Sequence, residues 1–154
     1  QAVELDSEVA AYHFSLAPSR VASGEVDAAE EAAERAMQLA PGEVGIAIDF
    51  LEALVRGGHF GRAAQFVDDS EQSTPLWELV VPLFELIIES YASIDRPDPF
   101  TRFRSAVDEH RSALPVEWDF EELERLSLRL DRDAKREFQQ MIGVLEGRLE
   151  HVDG

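Results

Sequence analysis

The feature that most constrains this chain is a pattern stated twice between positions 24 and 75. Gly24-Glu25-Val26-Asp27-Ala28-Ala29 opens a helical run that passes Ala36 and stops at Pro41, and Gly58-His59-Phe60-Gly61-Arg62-Ala63 opens another that stops at Pro75. Gly24 to Gly58, Ala29 to Ala63 and Pro41 to Pro75 are the same step of 34 residues. The glycine can end a preceding helix in a left-handed conformation, and the proline cannot continue one. A small residue between them lets a neighbouring helix approach closely. A period of this size is the signature of a helix–turn–helix unit that buries its apolar face only by stacking on its neighbours.

The rest of the chain agrees with an all-α fold of about seven or eight helices. Residues 2–23 carry Val3, Leu5, Val9, Tyr12 and Leu16 near a helical stripe, interrupted by Pro18. Residues 26–40 are rich in alanine, the best helix former, and end at Pro41-Gly42. Residues 43–56 superpose the stripes Ile46, Phe50, Leu54 and Ala47, Leu51 before Gly57-Gly58. Residues 60–69 form a shorter helix whose end, Asp68-Asp69, opposes the macrodipole and is predicted to fray. Thr74-Pro75 is an N-cap followed by proline at the first helical position. From Leu76 to Tyr91 apolar residues fall on nearly every side, which predicts a helix buried among others. Arg96-Pro97-Asp98-Pro99 is a turn. A helix is predicted over 100–114, with Phe103, Ala106, Val107 and Ala113-Leu114 inward. Another is predicted from an Asp119 cap to Leu130, and a last one over 133–149, whose Phe138, Met141, Ile142, Leu145 and Leu149 keep 3-and-4 spacing. The tail 151–154 is expected to fray. No alternating β-branched run occurs.

Residues 24–43 resemble the second helix of a tetratricopeptide repeat. The family's Gly-acidic-aromatic-x-x-Ala opening appears as Gly24-Glu25-Val26-Asp27-Ala28-Ala29, and its Ala-Leu-x-x-x-Pro ending as Ala36-Met37-Gln38-Leu39-Ala40-Pro41. The second copy keeps Gly58, Phe60, Ala63 and Pro75 but has Ser70 where the family has its second alanine. The first-helix signature is weaker, with His13 and Arg20 at the Trp and Tyr positions and Leu16-Ala17 matching its Leu-Gly pair loosely. Ala47, Phe50, Leu51 and Leu54 are apolar substitutes in the second copy. A third first-helix can be laid on Glu78 to Tyr91, after which Pro97 breaks the register. The resemblance covers about residues 10–91. It implies antiparallel helix–turn–helix repeats in a short right-handed solenoid, within a single all-helical domain over 1–154. The helices of 98–150 would cap the stack or form a second small bundle.

In that family, first-helix residues facing the concave groove bind partner peptides. Mapped here, the resemblance gives Phe14, Pro18, Val21 and Ala22, then Gly45, Ile48, Glu52, Val55 and Arg56, then Leu79, Pro82, Leu86, Glu89 and Ser90. Of these, Phe14, Val21, Ile48, Glu52, Val55, Arg56 and Glu89 are the expected partner-binding residues. The strip suits an amphipathic helix or extended peptide. Filling of the groove by the C-terminal helices, with these residues as plain core, is the competing reading. The Lys/Asn/Arg set that clamps a C-terminal carboxylate is missing, since only Arg56 is basic, which argues against a receptor for chaperone tails.

Charge narrows the partner. Thirty-two acidic against 14 basic residues give a net −18, with Arg outnumbering Lys 13 to 1. Such a field repels nucleic acid and anionic membranes and attracts a basic partner. The competing reading of the same charge is a solvated, solubilising surface of the kind salt adaptation favours. The most apolar stretch is broken by Glu78, Pro82 and Glu85, too short and charged to span a bilayer. With no cysteine, neither a disulfide framework nor a Cys-based zinc site can form. No secretory leader is visible at the start of the sequence, which gives a cytoplasmic expectation.

Catalytic signals are missing from the pattern. His13, His59, His110 and His151 are scattered, and none has Glu three residues before it, as di-iron bundles require. There is no His-Glu-x-x-His, phosphate-cradling glycine loop or nucleophile elbow. Asp108-Glu109-His110 could touch a metal but reads first as a solvated helix face. Glu121, Glu122 and Glu124 near Trp118 read first as a helix start loaded for its dipole. The expectation is therefore a non-catalytic interaction scaffold without cofactor or metal, binding a basic or amphipathic protein segment. Two alternatives stay open: an accessory or regulatory domain of a longer protein, and a helical-bundle enzyme or ligand-binding protein with a pocket near Trp77 or Trp118. An uncapped end would also allow a homodimer.

Overall fold

The computed structural model describes residues 25–40, 43–70, 74–96 and 98–150. Among these the chain is all-helical: α1 (Val26–Leu39), α2 (Val44–Arg56), α3 (Phe60–Asp69), α4 (Pro75–Ala92), α5 (Pro99–Glu109), a 3-10 turn (Arg111–Ala113), α6 (Glu121–Ser127) and α7 (Arg132–Leu145). The helix expected over 2–23 and the tail 151–154 lie outside the described residues. The chain forms two compact units, residues 1–59 and 60–154.

In the first unit α1 packs against α2. The alanines decide how. Ala29, Ala32, Ala33 and Ala36 make one buried stripe on α1, and a stripe without bulk lets another backbone approach. On α2 the larger Ile48, Phe50, Leu51 and Leu54 are buried. Burying a side chain of that size stabilises by roughly 1.5–3 kcal/mol, before the cost of ordering it. The end of α2 is set by glycine. Gly58 takes φ +81°, which a side chain would resist. That bend lets the His59 N–H reach the Leu54 carbonyl (2.8 Å) and the Gly58 N–H reach that of Val55 (3.1 Å), the paired bonds of a Schellman cap.

The second unit is arranged around α4, which packs on α3, α5, α6 and α7. Its start matches the sequence: the Thr74 hydroxyl accepts the Trp77 N–H at 3.3 Å, and Pro75 occupies the first turn. Trp77 and every residue from Leu79 to Ile88 are buried, as expected of a helix apolar on all sides. Pro82 sits inside this helix and offers no N–H to the Glu78 carbonyl one turn back. The surrounding helices supply the burial that offsets that loss. Phe66 meets Trp77 edge to face at 6.3 Å, and Phe60 stacks on Tyr91 at 5.3 Å. The Tyr91 hydroxyl donates to the Leu126 carbonyl.

Helix ends differ from the sequence expectations where caps intervene. The run predicted over 100–114 starts at Pro99 on an Asp98 cap and leaves α geometry at His110 before the 3-10 turn. Ala113 and Leu114 are only half-buried. Phe120, not Asp119, is the N-cap of α6; Asp119 sits one residue earlier and accepts the Glu121 N–H at 2.9 Å, and the helix stops at Ser127 rather than Leu130. The last helix begins one residue early because Asp131 caps it, accepting the Ala134 N–H at 2.9 Å. It ends at Leu145 rather than Leu149 because Gly147, at φ +81°, makes a second Schellman cap: Arg148 N–H to Gly143 carbonyl (2.8 Å) and Gly147 N–H to Val144 carbonyl (3.1 Å).

Candidate functional site

The expected groove residues fall into different environments. Phe14 and Val21 lie outside the described residues. Ile48, Glu52, Val55 and Arg56 share a stripe of α2, but Ile48 and Val55 are 0% and 1% exposed. The apolar part of that stripe is packed rather than presented to solvent. Glu52 is half-buried and Arg56 is exposed. Glu89 belongs to α4 in the second unit, where burial, and then the charges of Asp95 and Asp98, push its carboxyl up. Its Oε2 is buried without a hydrogen-bond partner.

Within the second unit the chemistry gathers beside α4 and α5. A cleft of about 450 Å³ runs there. Its apolar lining comes from Val67, Trp77, Val81, Pro82 and Ala106, and its polar lining includes Glu78, Arg102 and Glu109. Helical spacing explains the grouping: Trp77, Glu78, Val81 and Pro82 recur at intervals of 3 to 4 on α4, as do Arg102, Ala106 and Glu109 on α5. A larger cleft of about 610 Å³ lies beside α5 and α7 and mixes Asp98 and Glu137 with Arg104 and Arg136. Burial, followed by the charge of Asp98, pushes the Glu137 carboxyl up. Its opposed charges converge on no single ligand chemistry.

One flank of the smaller cleft is an ion network on a buried carboxylate. Glu85 is 0% exposed, inside the most apolar helix among the described residues. Its Oε2 accepts from Arg96 Nε at 3.1 Å and its Oε1 from Arg102 Nη1 at 2.5 Å. Arg96 then makes a two-bond fork to Asp68, at 2.7 and 3.0 Å. Burial pushes the Glu85 carboxyl up, and the two arginines oppose that rise. The Arg96 hydrogen bonds hold Asp68 below the usual carboxylate range. Arg96 also explains why α3 continues through Asp69: it neutralises Asp68 at the helix end where a bare carboxylate would be disfavoured.

The other flank holds Glu78, Glu109 and His110. His110 Nε2 hydrogen-bonds Glu78 Oε2, and Glu109 Oε2 lies 4.0 Å from the same nitrogen. One ligand atom from each of the three lies within 4.8 Å of the others. The sequence shows Glu109 beside His110 but gives no hint of Glu78, which arrives from the first turn of α4. Among the described residues, this is the group with metal-ligand spacing.

No helix among the described residues is long and apolar enough to cross a membrane. No family model, curated protein or solved structure matches the chain.

Proposed function

We propose that this chain is a non-catalytic binding module of tetratricopeptide-like helix pairs, and that it takes a basic, amphipathic segment of a protein partner. The observation that carries the reading is the cleft beside α4 and α5: an apolar lining around Trp77, Val81 and Ala106, with Glu78 and Glu109 alongside. In a chain of net charge −18 such a cleft suits an apolar face bordered by lysine or arginine. The repeat assignment is supported by α1 and α3 starting at Val26 and Phe60, the same 34-residue step that the glycines and prolines keep. It is opposed by α4, which has more neighbours than a helix in a simple stack needs.

The test uses two labelled helical peptides with one shared apolar face, one carrying lysine and the other glutamate on the polar face. Fluorescence anisotropy is read in EDTA. The lysine peptide is expected to bind, and to weaken as salt is raised from about 50 to about 300 mM, because rim charges are screened over about a Debye length. The Glu78→Lys/Glu109→Lys variant should lose at least about tenfold, equivalent to about 1.4 kcal/mol. Equal binding of both peptides, or of native and variant chains, would sink the proposal, as would no binding at millimolar peptide.

A further inference from the structure

We infer that Glu78, Glu109 and His110 form a binding site for a divalent transition-metal ion, with zinc the best match to the donor set. This does not rest on the peptide reading. Adjacent residues on a continuous helix point about 100° apart, so Glu109 and His110 could not both ligate from within α5. His110 has left the helix, at φ −117° and ψ 33°, and its ring turns to lie near the Glu109 carboxylate. Glu78 then closes the group from α4, where it receives the His110 Nε2 hydrogen bond. A zinc ion held at about 2.0–2.2 Å needs its ligand atoms roughly 3–3.5 Å apart. Three atoms already within 4.8 Å of each other need shift by no more than about 2 Å to reach that spacing. The ion would replace the proton on His110 Nε2, leaving the neutral imidazole as ligand and both carboxylates ionised.

Two observations independent of the donor spacing favour a cation here. Glu109 and His110 lie at the C-terminal end of α5, where the helix presents its negative pole. No arginine or lysine among the described residues forms an ion pair with Glu78 or Glu109, and the nearby Arg102 is committed to Glu85. Three protein ligands would leave a fourth tetrahedral position, and Glu78 and Glu109 also line the cleft, so an incoming donor could complete the sphere there. The imidazole selects against calcium and magnesium, which prefer oxygen-only sets.

The test is isothermal titration of the metal-stripped full chain with zinc chloride, beside His110→Ala and Glu109→Gln, all checked for helix content by circular dichroism. Expected are one equivalent bound by the native chain, loss of that equivalent in His110→Ala, and at least about tenfold weakening in Glu109→Gln. Zinc should also raise the melting temperature of the native chain and not that of His110→Ala, since a ligand that binds only the folded state stabilises it. Zinc binding unchanged in both variants, or none by the native chain at millimolar zinc, overturns the site. Calcium binding as tightly as zinc, with His110→Ala indifferent, overturns the imidazole as a ligand. Because the peptide measurements are made in EDTA, either proposal can fail without the other.

Discussion

Replacing Glu85 by glutamine tests whether the second unit is organised around a buried charge. In the native chain Glu85 is fully buried, and its two oxygens answer Arg96 at 3.1 Å and Arg102 at 2.5 Å. The two arginines are not equivalent: the Arg96 side chain is 6% exposed and that of Arg102 is 45% exposed. Glutamine has nearly the same shape but brings no charge and turns an N–H₂ toward one guanidinium. Arg102 can recover water; Arg96 keeps only Asp68. Breaking a buried pair by removing one partner typically costs about 3–5 kcal/mol, because the other charge is left uncompensated. Glu85→Gln should therefore fall in that range, while Arg102→Ala should cost only about 1–3 kcal/mol, as Glu85 retains Arg96. Urea unfolding followed by circular dichroism measures both. A loss below about 1 kcal/mol for Glu85→Gln would mean that water reaches Arg96 freely, and the desolvation argument would be wrong. Replacing Glu85 and Arg96 together by leucine and methionine, with Asp68→Ala, should recover much of the loss, since apolar residues of similar volume often replace a buried ion pair without penalty.

Two glycines should respond to alanine with opposite sign in the same urea assay. At Gly58 an added Cβ meets no atom within 4 Å, so the whole cost is its φ of +81°, about 1 kcal/mol of destabilisation. At Gly61 the space is equally open and the φ is ordinary for a helix, so alanine should stabilise by about 0.5 kcal/mol. Equal signs would refute the cap assignment. Stability should also rise as pH is lowered from neutrality toward the ordinary carboxylate range. Burial raises the carboxyls of Asp49, Glu89 and Glu137, which have no arginine among the described residues bonded to them to hold them ionised as Glu85 has. These groups bind protons more readily in the folded chain than in the unfolded one, and stability is gained as pH falls through the raised values. Asp68 acts the other way, but its lowered value places that loss below the ordinary carboxylate range. A melting temperature that falls steadily over the same interval would contradict this balance.

What the sequence determined by itself is local. The alanine run placed α1, the Gly57-Gly58 pair ended α2, Thr74-Pro75 started α4, and the apolar surround of α4 marked it as the buried helix. These are effects of propensity, caps and periodicity, which act within a few residues of chain. Where the reading slipped, the cause was also local: Asp131 and Gly147 act as caps that moved both ends of α7. The charged side chains were a different matter. Glu85 looked like an interruption of an apolar stretch, yet it is the buried acceptor for Arg96 and Arg102; a lone carboxylate in a wholly apolar helix was the available signal that a cation must be supplied from elsewhere. Glu78 reaches His110 across 32 residues, and Asp68 reaches Arg96 across 28. Spacing within one helix fixes which residues share a face, but not which face of another helix meets it. That depends on how helices rotate and cross when they pack, so the two ends of the cleft were decided by the tertiary structure alone.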